Sequence, residues 1–472
     1  LKHKKKGTEL RLIRGTYYLY EVTSKWNPEK KRAQKITGRL LGKITPSGFI
    51  PSPKYELSQK PAIQSVVVKE YGATRFLLDI MADILDASDT VFSSPLSKEI
   101  IISAIMRLIY QAPAKNMDFY LKNSYLSELY PDVSLTDKKM SFLFNSLGHT
   151  RGLIDTFLKN IIKTDNSYML IDATHMFSKS RNMDMAHTGY NSQHKFIPQV
   201  NLMFIYAVNL TLPVYYRIIP GNVREVSAFS LTIKASGIKD AVLIADKGFY
   251  SDNNIRELEE EGLRFIIPLR RTSSLIDYSF LSSKERLHGY FKFSSRYIWY
   301  YTYPVGKNRF IHIYLDDQLK TEEERDYLLR IERNPESYNI NGFYKKQYQR
   351  GTMAILTNIP STSEEVYIYY KSRNSIEVMI DALKNVLMAD ASYMRHDASL
   401  EGWMFITFIS LICYYRIYRL LHDKKLLSRY SPHDVLKYLS AIKKVNIDGV
   451  WYTSEVTTKT KRLMDKLEAH IT

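Results

Sequence analysis

The chain has 472 residues, 45% hydrophobic and 25% charged, which excludes bulk disorder and implies about three domains at roughly 150 residues each. Lys and Arg number 67 against 49 Asp and Glu; the formal charge of +18 points to a polyanionic partner, nucleic acid before an anionic membrane. A single cysteine, Cys413, excludes an internal disulfide framework and any cysteine-rich metal site, and suits a reducing compartment.

The N-terminal stretch Leu1 to Leu12 is Lys-rich and lacks the apolar core of a secretory signal. Residues 1–50 carry 13 Lys/Arg against 3 Glu, a surplus of +10. Alternation in Thr16-Tyr-Tyr-Leu-Tyr-Glu-Val and a Trp26-Asn-Pro28 turn predict a small β-rich module with a basic face. From 68 to 163 apolar residues recur at spacings of three and four, as in Phe76 to Leu85 and Ile100 to Ile109, which predicts a helical domain. It carries no helix-turn-helix signature.

The period changes after residue 166. Tyr168-Met-Leu-Ile-Asp172 is a short apolar run ending in an acid, and 201–208 and 213–221 read as further strands. A helix over Val226–Ser236 leads to Ala241-Val-Leu-Ile-Ala-Asp246, a second apolar run ending in an acid. Ser251 caps a helix to Glu261, and 264–269 is another strand. Strands then alternate with helices, which predicts an α/β sheet with antiparallel and parallel parts. Residues 272–350 interrupt it with a β-rich insertion holding a charged helical patch, Thr321–Glu332. The pattern resumes at 353–358, followed by helices over about 363–389 and 401–421, and the tail 422–472 reads as basic and helical. The apolar stretch Trp403–Tyr415, about 13 residues, is too short to span hydrocarbon and reads as a buried core helix.

The helix after Asn358 carries the strongest chemical signal. Ser361/Glu364 and Thr362/Glu365 offer two overlapping capping boxes. On a regular helical wheel Tyr370, Arg373, Glu377 and Lys384 share an arc of roughly 60°, beside a buried stripe of Ile376, Met379, Ile380, Leu383 and Leu387. Arg373 and Glu377 alone make an ordinary i,i+4 surface pair. Asp172 and Asp246 change the weighting, because ligands gather beyond the carboxyl ends of strands in open α/β sheets. Two such acids and a glutamate on a neighbouring helix make a carboxylate cluster, which a divalent cation relieves, with Mg²⁺ or Mn²⁺ suited to hard oxygen donors.

Those residues resemble the DDE transposases of bacterial insertion sequences, the cut-and-paste group marked by Tyr-x2-Arg-x3-Glu-x6-Lys. Tyr370, Arg373, Glu377 and Lys384 keep that spacing, and Ile171-Asp172-Ala-Thr, Gly189-Tyr-Asn, Pro220-Gly-Asn222 and Ala245-Asp246-Lys-Gly-Phe249 resemble the family elsewhere. Lys247 stands where the family often has Arg. The resemblance covers about 165–420.

It implies a ribonuclease-H-like mixed sheet with flanking helices. Asp172, Asp246 and Glu377 would form the catalytic, metal-binding triad for two Mg²⁺ or Mn²⁺ ions. Tyr370, Arg373 and Lys384 would hold DNA near the scissile phosphate. Trp299 would steady a base flipped out near the element's end, with sheet packing as the alternative. The activity implied is cleavage at the element's ends and strand transfer, with terminal inverted repeats and target double-stranded DNA as partners and a homodimer in the DNA complex. No membrane role is expected, and the implied location is the bacterial cytoplasm and nucleoid.

The expected organisation is a basic β-rich module (1–60), a helical domain for DNA-end binding (61–165), the first part of the catalytic core (166–271), the insertion (272–350), the second part of the core (351–421) and the tail (422–472). Two rivals stay open: a transposase-derived DNA-binding protein without catalysis, and a metal-dependent nuclease. Arg270-Arg271 reads equally as a phosphate contact or a solvated pair, and His175 as a core histidine more readily than a ligand. Gly38 to Ile44 is one residue short of a phosphate loop and has Ile where Ser or Thr would bind Mg²⁺.

Overall fold

The structure is a computed structural model that describes residues 3–59, 65–162, 168–191, 193–306 and 308–471. They fall into two compact units, 1–67 with 445–452, and 68–444 with 453–472. In the first, β1 (Thr8–Ile13), β2 (Thr16–Asn27), β3 (Arg32–Thr45) and β4 (Gly48–Pro51) make an antiparallel sheet in sequence order. Arg14 and Gly15, both at positive φ, form the two-residue turn between β1 and β2, a geometry that follows strand twist.

After β5 (Val66–Glu70), helices occupy most of 72–162. The core sheet then begins. β6 (Tyr168–Ser178), β7 (His187–Thr188), β8 (Pro198–Ala207) and β9 (Leu212–Pro220) are followed by β10 (Val242–Ala245) and β11 (Arg264–Pro268). β6, β8 and β9 are antiparallel neighbours; β10 lies parallel to β6, and β11 parallel to β10. Helices Glu225–Ser236 and Asp252–Glu260 make the two crossovers, as parallel pairing requires. Reading across the sheet, the order third-second-first-fourth-fifth is that of a ribonuclease-H-like core.

The insertion is not a separate sheet. Its strands β12 (Gly289–Phe293), β13 (Arg296–Pro304) and β14 (Phe310–Asp316) join the core through β15 (Thr352–Thr357), which pairs with both β14 and β11. Helices Asp317–Arg333 and Ile340–Lys345 follow β14. β16 (Ala391–Ser392) adds to β6.

Two expectations change here. The apolar stretch at 403–415 is the centre of a 27-residue helix, Asp397–Asp423, long and apolar enough by length and composition to cross a membrane. It is the core helix of this fold: Phe408 stacks on Phe204 and packs on Tyr216, and Tyr415 meets Tyr206 edge-on. The tail is not wholly helical. Helices Pro432–Leu439 and Thr458–Leu467 flank strands β17 (Lys443–Ile447) and β18 (Val450–Thr453). Asp448 and Gly449, both at positive φ, form the turn, an Asp-Gly hairpin signal that outweighs the basic composition.

Candidate active site

Strand register sets the first two acids. Ile171 of β6 pairs with Ala245 of β10, so Asp172 and Asp246 are the next residues on adjacent parallel strands. β10 ends at Ala245, but β6 continues to Ser178, so Asp172 lies within its strand rather than at its end. Antiparallel pairing with β8, Asp172 opposite Phe204, carries β6 onward.

Glu377 arrives on a helix that is not uniform. Thr362 and Glu365 form the capping box that starts helix Ser363–Lys371. The chain then tightens: Arg373 N–H donates to Tyr370 O and Ile376 N–H to Arg373 O, both three residues back. Helix Asn374–Asp381 follows, with Ile376 and Met379 buried, and a π turn over Ala382–Val386 widens the spiral.

Arg373 ties the site together. Its Nη1 donates to Asp172 Oδ2 at 3.0 Å, and its Nη2 donates to Glu377 Oε1. The Arg373 and Asp172 side chains are each only 17% exposed, so this is no solvated surface pair. Burial pushes Asp172 up to about 6; Arg373 and the Ala173 N–H pull against it, while Asp246 and Glu377 push further. Burial disfavours the charged Arg373, yet Asp172, Asp246, Tyr370 and Glu377 together raise its pKa above the ordinary value. Burial also raises the Tyr370 phenol, against Arg373 and with Asp246.

Asp172, Asp246, Tyr370, Arg373 and Glu377 therefore share one electrostatic neighbourhood. Lys384 does not join it: the π turn breaks the uniform wheel, and its Nζ lies 3.5 Å from Asp390 Oδ1. Trp299 is also elsewhere. Its Nε1 donates to Asp317 Oδ2 at 3.1 Å, Lys284 sits over its ring and Tyr290 packs beside it, so the sheet-packing alternative describes its surroundings. His175 is buried, its Nε2 without a hydrogen-bond partner among the described residues.

A cleft of about 1160 Å³ opens beside Asp246. The core supplies Lys247, Gly248, Arg270 and Arg271; the insertion supplies Arg296 and Asp316; Tyr367, Tyr370 and Lys371 come from helix Ser363–Lys371. The Arg270-Arg271 pair is split by function. Arg271 makes two 2.9 Å bonds to Glu323, while Arg270 makes no side-chain hydrogen bond or ion pair among the described residues. Sequence reading missed Lys371, and also Glu225, in the first turn of its helix. Burial, then Asp172 and Asp246, raise the Glu225 carboxyl above its ordinary value. The spacing Gly221-Asn-x-x-Glu225 was the available signal.

Among the described residues no three His, Cys, Asp or Glu side chains stand close enough to hold a metal ion. The donor chemistry nonetheless suits one. Asp246 and Glu377 both push the Asp172 carboxyl up, the strain a hard cation relieves, and Arg373 already bonds to Asp172 and Glu377.

A family model described as the transposase DDE domain matches residues 163–413. No curated protein matches the chain. A cryo-EM structure of the piggyBac transposase synaptic complex with hairpin DNA aligns with TM-score 0.44 and 11% identity, covering 78% of this chain and 79% of that one. The matched domain spans over half of the chain and contains Asp172, Asp246 and Glu377, and the chain belongs to the transposase DDE domain family.

Proposed function

We propose that this protein is a DNA transposase that binds the ends of its mobile element, cleaves there with the help of divalent metal, and joins those ends to target DNA. The single observation that carries the reading is the Asp172–Arg373–Glu377 bridge, with Asp246 in register beside Asp172, inside the family-matched domain. Asp172, Asp246 and Glu377 would hold Mg²⁺ or Mn²⁺. When bound, such ions supply Lewis acidity to the transferring phosphate and a more acidic attacking hydroxyl, two ions serving both sides of the displacement.

The chain's own groups have definite tasks. Asp172 and Asp246 are fixed by sheet register, so their spacing does not depend on a loop. Arg373 neutralises Asp172 and Glu377, and its planar fork suits a phosphate as well as a carboxylate. Tyr370 lines the cleft next to Asp246 and offers a phenol to the DNA backbone. Lys384 is a phosphate contact only if DNA draws it from Asp390. In this reading the basic N-terminal module and helical domain recognise the ends, and two copies act together.

One observation favours a rival. Arg373 stands between the acids, which also fits a DNA-binding protein that has lost catalysis. A supercoiled plasmid carrying the inverted repeats that flank the coding region, incubated with Mn²⁺, separates the readings. Cut and joined products support the transposase. End-specific binding without cutting supports the rival, and nicking of any plasmid without joining supports a nuclease.

A further inference from the structure

Helix Asp317–Arg333 carries most of its charge in closed pairs. Asp317 meets Lys284, Glu322 meets Arg296, Glu323 meets Arg271, and Lys320 with Glu324 and Asp326 with Arg330 pair along the helix itself. Arg325, Glu332 and the terminal Arg333 have no hydrogen bond or ion pair among the described residues. Arg325 and Glu332 stand seven positions apart, about 10 Å along the axis, whereas charges on one helix pair at three or four positions.

These two charges flank a pair of leucines. Leu328 and Leu329 are 43% and 37% exposed. With Thr321, Arg325 and Glu332 they share an arc of about 100°, and with Glu324 the six residues line a shallow groove of about 390 Å³. The far side of the helix is the anchored one: Tyr327 meets Tyr338, Phe343 and the Arg350 guanidinium. No residue of this 17-residue helix is buried.

The leucine face reads alike in both directions. Arg325 lies three residues before Leu328, and Glu332 three after Leu329. A two-fold axis between the leucines therefore sets an antiparallel second copy with its Glu332 opposite Arg325 and its Arg325 opposite Glu332, and each leucine against its own counterpart. Two ion pairs form that one helix cannot make alone, around four leucine side chains leaving water. A parallel second copy in register sets Arg325 on Arg325 and Glu332 on Glu332, which like-charge repulsion opposes.

We propose that this face of helix Asp317–Arg333 docks a second copy of the chain, antiparallel about the Leu328–Leu329 midpoint. The inference goes beyond the transposase reading, which calls for two copies on DNA and names no surface for them. The contact is made without DNA. One short helix face from each copy buries less than the ~1,200 Å² of a standard complex, so the association is weak, with a dissociation constant of about 10–500 μM.

Sedimentation velocity of the full chain without DNA, up to about 500 μM, tests it. Wild type should show reversible dimers. Arg325→Glu and Glu332→Arg should each weaken them by about ten-fold or more, because each places like charges together. The double variant Arg325→Glu/Glu332→Arg should return to within about three-fold of wild type, since the exchanged charges meet again. Leu328→Cys should give an intermolecular disulfide with diamide as oxidant, because the two-fold sets that position against itself. All of these residues are exposed, so thermal melts should not change. Wild type that stays monomeric, single reversals that dimerise as well as wild type, a double variant no better than the singles, or Leu328→Cys that does not crosslink overturns the surface.

Discussion

Arg373 donates to Asp172 across 201 positions of sequence, at 3.0 Å, and holds Glu377 with its other terminal nitrogen. One guanidinium thus acts as the counter-ion for two of the three acids assigned to the metal. Replacing it leaves a buried carboxylate uncompensated, which is costly. Arg373→Ala should lower the stability of the metal-free protein by about 1–3 kcal/mol, with Arg373→Lys losing less. Added Mn²⁺ should then raise the melting temperature of Arg373→Ala more than that of wild type, because it meets acids with no internal partner. Equal Mn²⁺ shifts in the two proteins would remove the assignment of Asp172 and Glu377 as ligands.

The three acids should separate catalysis from binding. Asp172→Asn, Asp246→Asn and Glu377→Gln each keep shape while removing charge. Each should reduce plasmid cleavage by about a thousand-fold or more, the scale of several kcal/mol lost at a metal-assisted transition state. Gel-shift affinity for the element's ends should stay within a few-fold of wild type. Full cleavage by Glu377→Gln would sink the triad.

Asp172 and Asp246 were legible because each closes an apolar run, and β-sheet register does the rest once the strands are parallel neighbours. Tyr370, Arg373 and Glu377 were legible because local helical spacing survives a tightened turn. Lys384 was not, because a π turn is invisible to a wheel drawn at constant pitch. The insertion was legible as β-rich, but β14 was not read as a strand, and nothing local announces that it pairs with β15 and so extends the core sheet. Pairing partners are set by tertiary packing, not by the pattern of one strand. Trp299 illustrates the same limit. Composition marks it as notable, and only the fold shows Asp317, Lys284 and Tyr290 around it.

The Gly189–Gly221 contact should be intolerant of any side chain. A Cβ on Gly221 would stand 2.0 Å from Gln199 O and 2.5 Å from His187 O, both backbone atoms with little room to move. Gly221→Ala should therefore cost about 2 kcal/mol or more, as overpacking does, read by thermal or urea unfolding. A variant as stable as wild type would show that the two loops do not meet as closely as they stand here.

Glu70 gives a pH signature independent of the active site. It is 4% exposed, and its Oε1 accepts from Ala73 N–H at 2.8 Å at the start of helix Gly72–Ile80. Its Oε2 has no hydrogen-bond partner among the described residues. Burial raises the carboxyl from its ordinary 4.5 to about 7, against the Ala73 and Thr74 contacts. Below 4.5 the folded and unfolded chains both keep the proton, and Glu70 costs nothing. Between 4.5 and 7 the unfolded chain releases it while the folded chain retains it, so stability falls as pH rises, and above 7 the penalty is constant. Glu70→Gln keeps the acceptor for Ala73 and cannot ionise, so this component of the slope should vanish. Relative to wild type, the variant should gain about 1–3 kcal/mol on going from pH 4 to pH 8. Urea unfolding at both values measures it, and parallel pH profiles for the two proteins would mean that Glu70 is not held protonated by its burial.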